Sequence, residues 1–228
     1  MSTQARNRDE LRARFQTALQ RLKDECPLEY SIANASPQLQ AAYVEVLRHW
    51  LEKATPPSCD LLPRSFLDAL LAMDVVVEQE AGIGCYPFSA RDTDIHVDHG
   101  AGVVAAMCAF DALAIPRLVR GASRVTARCM VCRCHLAAAV EANGSLAHGT
   151  DEGIRVVWSP RDRTKGACSD ALCSGIRFLC KHCSAPEDAA GYTLAEAAAL
   201  ANNFFAFQAR LLAHYPYPEQ LGNLDPKA

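Results

Sequence analysis

The sequence predicts an α+β fold: an N-terminal helical, winged-helix-like module packed on a C-terminal domain of small antiparallel sheets flanked by helices. Three observations carry this prediction. Leu11, Phe15, Leu19 and Leu22 fall on one face of the charged stretch 8–25, and Leu39, Tyr43, Leu47, Trp50 and Leu51 do the same further on, both at helical spacing. From Arg124 to Trp158 the character turns to short strand-like runs set off by turn residues. After Thr193-Leu-Ala-Glu196, which fits a capping box, the helical period returns.

Each element has a local cause. Cys26-Pro27 ends the first helix, because a residue before proline avoids the helical region. Ser36-Pro37 reads as an N-cap with proline at the first helical position, opening a helix to about Lys53 that Thr55-Pro56-Pro57-Ser58 breaks. A helix over 63–73 and strands at 75–77 and 82–86 follow. Helices followed by a β-ribbon have the order of a winged helix. With no basic recognition face, the segment reads as a packing module rather than a DNA reader.

Residues 95–97 read as a short strand, and 103 to about 113 as a helix buried nearly all round, with Pro116 limiting its extension. Residues 124–129 and 134–141 are expected strands, Asn143-Gly144 a hairpin turn, and 153–158 the strand that pairs across it. Residues 160–170 read as a loop. Leu200, Phe204, Phe207 and Leu211 give the closing helix its core stripe, with Pro216 and Pro218 beyond its end. The expected division is residues 1–30 as a helical extension, 31–94 as the helical, winged-helix-like module, and 95–228 as the domain that carries the chemistry.

Composition narrows the function. The chain has 228 residues, 50% of them hydrophobic and 21% charged, which is enough for a sizeable core. A net charge of −3 gives no electrostatic case for nucleic acid or an anionic membrane. Residues 1–24 are dense in charge and lack the apolar segment of a secretory signal. The most apolar stretch, 100–119, is interrupted by Asp111 and Pro116 and reads as buried core of a cytoplasmic protein. The 11 cysteines are an odd number, and the cytosol keeps thiols reduced, so a disulfide framework is not expected. Soft-metal chemistry, catalysis or inert buried thiols remain.

Three constellations stand out. In Ala106-Met-Cys108-Ala-Phe-Asp111, helical spacing would set a thiol and a carboxyl one turn apart in apolar surroundings. Such a carboxyl is costly to ionise, so its pKa rises and it becomes a competent proton donor. The plain alternative is an inert core cysteine with an aspartate capping something local. Second, Cys168, Cys173, Cys180 and Cys183 follow a flexible loop, so one of them can swing over a site formed by Cys108; a structural metal knuckle is the competing reading. Third, Cys129 and Cys132 form one C-x-x-C pair and Cys180 and Cys183 another, a pattern compatible with structural zinc. The 47 residues between Cys132 and Cys180 exceed ordinary zinc-ribbon spacing. His96 and His99 read as a solvated pair rather than as metal ligands. No phosphate-binding glycine loop, serine elbow or H-E-x-x-H motif is present.

At Cys108 the sequence resembles the organomercurial lyase (alkylmercury lyase, MerB) family. The resemblance runs through Met107-Cys-Ala-Phe-Asp-Ala-Leu-Ala-Ile-Pro-Arg-Leu-Val119, then through Arg124-Val125-Thr-Ala-Arg-Cys129, which places a second cysteine 21 positions after Cys108. Cys173, followed by Ile176-Arg-Phe-Leu179 and Ala185-Pro-Glu-Asp188, stands where the family has its third. The resemblance covers roughly residues 95–212; residues 36–94 match in architecture only.

It implies an enzyme that cleaves carbon–mercury bonds by protonolysis, giving a hydrocarbon and Hg(II) for mercury detoxification. Cys108 and Cys173 would hold the mercury, Asp111 would carry the proton, and Cys129 would be structural. An organomercurial would be the substrate. Small thiols would serve as exchange partners, and mercuric reductase would take the Hg(II). No resident cofactor would be required. Cys132, Cys134, Cys168, Cys180 and Cys183 go beyond the family's pattern, permitting a second thiol site or zinc, and Cys168 competes with Cys173 as second ligand. A thiol-rich heavy-metal or zinc-binding regulatory protein without lyase activity is the alternative, and an organotin substrate would obey the same ligand logic.

Overall fold

The computed structural model describes residues 3–150, 153–162, 164 and 166–215. The N-terminal part is helical: α1 (Thr3–Glu25), α2 (Leu28–Ala33), α3 (Pro37–Lys53) and α4 (Arg64–Ala72). Ser36 caps α3 by accepting from the Leu39 amide, with Pro37 at its first position, as the sequence predicts. The helical spacing of α1 is real, but Leu11 stays exposed and only the second half of the helix, through Ala18 and Leu22, enters the core.

Strands β1 (Val76–Gln79), β2 (Gly82–Cys85), β3 (Phe88–Ser89), β4 (Ile95–Asp98) and β5 (Val103–Ala106) follow, then α5 (Ala109–Val119), β6 (Ser123–Arg128) and β7 (His135–Val140). They form a seven-stranded antiparallel sheet in the order β1-β2-β3-β5-β4-β6-β7. A second sheet has three strands in the order β10-β8-β9, built from β8 (Arg155–Trp158), β9 (Ile176–Leu179) and β10 (Ala190–Thr193). A short α6 (Cys168–Ala171) precedes β9, and α7 (Leu194–Phe204) and α8 (Ala206–His214) close the described chain. The expected α+β class is observed; the prolines predicted beyond the last helix lie outside the described residues.

Three expectations need correction. The helix expected over 103–113 is a strand followed by a helix. Val103 to Ala106 pair with β4 and β3, where β-branched side chains suit the pleat, and the helix starts only at Ala109. Pro116 does not limit that helix but lies inside it, one turn before the left-handed C-cap at Arg120. Residues 155–158 do not return across the Asn143-Gly144 turn. That turn closes on a single bridge between Val140 and Leu146, and β8 instead becomes the central strand of the second sheet, nearly all buried. Gly144 is required there: its φ is +85°, and a Cβ would lie 2.3 Å from the Asn202 side chain, whose amide donates to the Gly144 carbonyl.

One continuous core joins the helices to both sheets. Trp50 of α3 donates to the Ile83 carbonyl at 3.0 Å and stacks on Phe88 with ring centres 5.4 Å apart. Gln208 of α8 donates to the Tyr43 hydroxyl and the Tyr86 carbonyl, both at 2.6 Å. Phe110 of α5 meets Trp158 edge-to-face at 5.6 Å, fixing α5 between the two sheets.

Thr193 caps α7 as predicted. Its hydroxyl accepts from the Glu196 amide at 3.2 Å, and the Thr193 amide donates back to the Glu196 carboxylate at 2.8 Å. Thr193→Ala removes the hydroxyl half of this box and is expected to cost about 1 kcal/mol, read as a lower urea midpoint at unchanged slope. An unchanged midpoint contradicts the assignment.

Candidate active site

Cys108 occupies the joint between β5 and α5. Its backbone is extended, at φ −152° and ψ −179°, and it serves as the N-cap of α5: its sulfur accepts from the Asp111 amide at 3.5 Å. Asp111 is therefore the third residue of the helix rather than a neighbour one turn along it. The three-residue spacing brings thiol and carboxyl together all the same, through cap geometry. A carboxyl in a first helical turn also sits near the positive end of the helix dipole.

The third group arrives from the second sheet. Cys173 opens the 3-10 turn that leads into β9, and its thiol donates to Asp111 Oδ2 at 3.6 Å. The sulfurs of Cys108 and Cys173 and a carboxylate oxygen of Asp111 all lie within 4.8 Å of one another. All three residues are buried, at 2%, 4% and 3% exposure. Phe110, Ile176, Phe204 and Leu172 line the same narrow cavity, of about 10 Å³.

Burial dictates the protonation of this group. Desolvation raises the Asp111 carboxyl from its ordinary 3.8 to about 7, although hydrogen bonds from both thiols hold it down. Burial pushes the Cys108 thiol up to about 11, against the hydrogen bond from Cys173. The Cys173 thiol is raised by its hydrogen bond to Cys108 and by burial, with the Asp111 charge adding to both. Both sulfurs thus rest as thiols beside a carboxyl poised near neutrality.

Cys168 is not part of this group. Its sulfur donates to the Glu25 carbonyl at 3.3 Å, and its presence beside Cys26 pushes the Cys26 thiol up. Cys26, whose place in the chain read only as a helix stop, lines the cavity beside Cys108, Asp111 and Cys173, as does Tyr86. Tyr86 donates to Asp74 at 3.1 Å and accepts from the Ser169 amide at 2.7 Å, so it holds the first turn of α6 in place. No spacing rule in the sequence links Cys26 or Tyr86 to Cys108; only the tertiary fold does.

The other predicted thiols gather elsewhere. Cys129 is buried just past β6, and its sulfur accepts from the Cys180 amide at 3.4 Å. Burial acts to raise that thiol, but the amides of Cys180, Cys132 and Val131 bring it down to about 6. The sulfurs of Cys129, Cys132, Cys134 and Cys180 lie within 4.8 Å of one another. Cys134, rather than Cys183, completes this mutual set, while Cys183 sits against Cys180, Cys132 and Cys129. His96 pairs with Asp92 at 3.0 Å, and His99 is buried, which lowers its pKa; neither joins a ligand cluster among the described residues.

An α+β scaffold that gathers a thiol pair beside a carboxyl, with apolar walls, defines a class of site: its donor set could hold one thiophilic metal beside a proton donor. Comparison with known proteins makes the class specific. The family model for MerB, alkylmercury lyase, matches residues 88–205, just over half the chain, and the chain belongs to the alkylmercury lyase family. Cleavage of carbon–mercury bonds is the family's general role. The crystal structure of the mercury-bound form of MerB2 aligns with a TM-score of 0.61 at 17% identity, over 82% of this chain and 98% of that one, and so shares the fold. No curated protein matches the chain significantly.

The carboxyl gives a pH signature in stability. Its folded pKa, about 7, lies above its ordinary value of 3.8, so the folded state keeps a proton that the unfolded chain loses. Stability therefore falls as pH rises through that window. Asp111→Asn carries no such cost, and its thermal midpoint should gain on the parent's between about pH 4 and about pH 7. Parallel midpoint curves across this range contradict a buried, shifted carboxyl.

Proposed function

We propose that this lyase cleaves the carbon–mercury bond with Cys108 and Cys173 as the two mercury ligands and Asp111 as the proton carrier. The observation that supports the reading most is the convergence of two sulfurs and one carboxylate oxygen within 4.8 Å in a buried, apolar setting.

The chemistry follows from the resting protonation. An organomercurial arrives as R–Hg–SR′, carrying one exchangeable thiolate. Mercury(II) is soft and prefers sulfur to oxygen or nitrogen. One enzyme thiol, Cys108 by its fixed place at the N-cap, gives up its proton and replaces the incoming thiolate, which leaves as R′SH. The second thiol, Cys173, already donates to Asp111; as its sulfur joins the mercury, its proton passes to the carboxylate. Two sulfurs push electron density onto the metal, and the carbon gains carbanion character. Asp111 then protonates it: the carbon–mercury bond breaks, a carbon–hydrogen bond forms, and R–H departs. Mercury remains at +2 between two sulfurs, so no reductant is needed. Two external thiols remove it as Hg(SR′)2 and restore both protein thiols. A small-thiol carrier or a mercuric reductase would receive that Hg(II).

The enclosure has a consequence for access. The cavity is too small for any organomercurial, so its wall must open. A groove of about 610 Å³, lined by Lys23, Glu29 and Tyr30, shares Cys26 and Phe204 with the cavity and supports an approach past the α1–α2 corner. Among the described residues, no helix is long and apolar enough to cross a membrane, and a soluble, cytoplasmic setting fits the thiol exchange this scheme requires.

With methylmercury or phenylmercury and excess thiol, the protein is expected to release methane or benzene. Cys108→Ser, Cys173→Ser and Asp111→Ala should each cut the rate by roughly 10²-fold or more, while Cys168→Ser should keep most of it. Headspace gas analysis reads all four variants. Full activity in Cys173→Ser with loss in Cys168→Ser contradicts the ligand assignment, and metal binding without hydrocarbon release contradicts the lyase reading altogether.

A further inference from the structure

The chemistry at Asp111 leaves the second thiol cluster unused. Cys129, Cys132, Cys134 and Cys180 are reduced, and their sulfurs lie within 4.8 Å of one another. Two are buried and two are exposed. Exposure of Cys132 and Cys134 argues against inert core packing, the usual fate of a free cysteine. Convergence of four sulfurs argues against chance surface thiols.

From this geometry we infer that the four cysteines form a closed tetrahedral thiolate site for one zinc ion, separate from the carbon–mercury chemistry. A zinc–sulfur bond of about 2.3 Å sets the tetrahedron's sulfur–sulfur edges at about 3.8 Å. The Cys132 and Cys180 sulfurs are 3.7 Å apart. The backbone is already shaped for it. The Arg133 amide donates to the Cys129 carbonyl at 3.0 Å and the Cys129 amide to the Cys134 carbonyl at 2.9 Å, which curls the chain into a knuckle. The Cys180 amide points at the Cys129 sulfur at 3.4 Å, supplying the outer hydrogen bond that orients a metal-bound thiolate. Four thiolates and one divalent ion leave excess negative charge. Arg155, which donates to the carbonyls of Cys180 and Cys183, brings a guanidinium to the same corner.

Zinc suits this shell better than the reaction's own metal does. Zinc is at home with four sulfurs in a closed structural site. Mercury in the proposed reaction ends between two. The site also has a structural task. Cys129, Cys132 and Cys134 belong to the turn between β6 and β7 in the large sheet, whereas Cys180 directly follows β9 in the small one. One ion would staple the two sheets at the C-terminal end of β9. Cys173 lies just before the other end of that strand, so the staple would help fix the strand that delivers it.

The test is metal analysis of the full chain produced in zinc-containing, mercury-free medium. The expected result is about one zinc per chain. Zinc-edge X-ray absorption should show a four-sulfur shell, and cobalt replacement should give the spectrum of a tetrahedral thiolate site. Cys108→Ser/Cys173→Ser should keep the zinc and Cys132→Ser/Cys134→Ser should lose it, so this outcome is read independently of lyase activity. Chelating the zinc should lower the thermal midpoint. Protein holding far less than one zinc overturns the inference. So does iron in its place, zinc lost from the Cys108/Cys173 variant instead, or an intact mass lighter by the two hydrogens of a disulfide within the cluster.

Discussion

The confinement of one carboxyl group with two thiols, away from water, is the constraint on which the rest of this structure depends. In bulk solvent an aspartic acid is fully ionised at neutral pH and keeps no proton to give. Burial raises Asp111 to about 7, so near neutrality it can hold a proton as readily as release one, which the proposed proton-carrier role requires. The same burial keeps Cys108 and Cys173 protonated at rest. In the proposed reaction the metal would trigger ionisation of the thiols, and the carboxyl would store a proton that it displaces.

Holding three such groups together requires two sheets to meet. Cys108 and Asp111 come from one strand-to-helix joint in the large sheet, and Cys173 from the turn that starts β9 in the small one. The edge-to-face contact of Phe110 with Trp158 ties α5 to β8, while the Arg21 guanidinium lies 4.1 Å from the Trp158 ring centre and draws α1 over the same seam. Further along, Asp94 pairs with Arg133 and Arg177 at 2.6 and 3.1 Å, linking the cysteine knuckle and β9 to the start of β4. The position of Cys173 is therefore set by contacts distributed around its strand.

Much of this was legible in the sequence where a local rule operates. Ser36-Pro37, Thr193 with Glu196, and the helical spacing from Leu39 to Leu51 each depend on neighbours a few positions away, and each was readable. The stretch 103–113 was not, because a short apolar run such as Val103 to Ala106 has no period that separates a buried strand from a buried helix. Its true ladder partners lie at residues 88–89 and 96–98. The strand at 155–158 was readable but its partners were not: a hairpin turn signals a reversal, not which segment pairs across it, and β8 pairs with β9 and β10. The pairing of Cys108 with Asp111 survived the wrong helix assignment, since an N-cap also reaches the third helical residue. The roles of Cys26, Tyr86 and Cys134 depend on contacts between distant segments, which spacing along the chain does not encode.

In the proposed reaction one mercury ion comes to rest between two protein sulfurs. A crystal structure obtained after a single turnover of one equivalent of phenylmercury, without added thiol, tests it most directly. The expected result is one mercury bonded to both Cys108 and Cys173 sulfurs, with an Asp111 oxygen beside it. Mercury on one of those sulfurs alone, or on other cysteines while Cys108 and Cys173 stand apart, would contradict it.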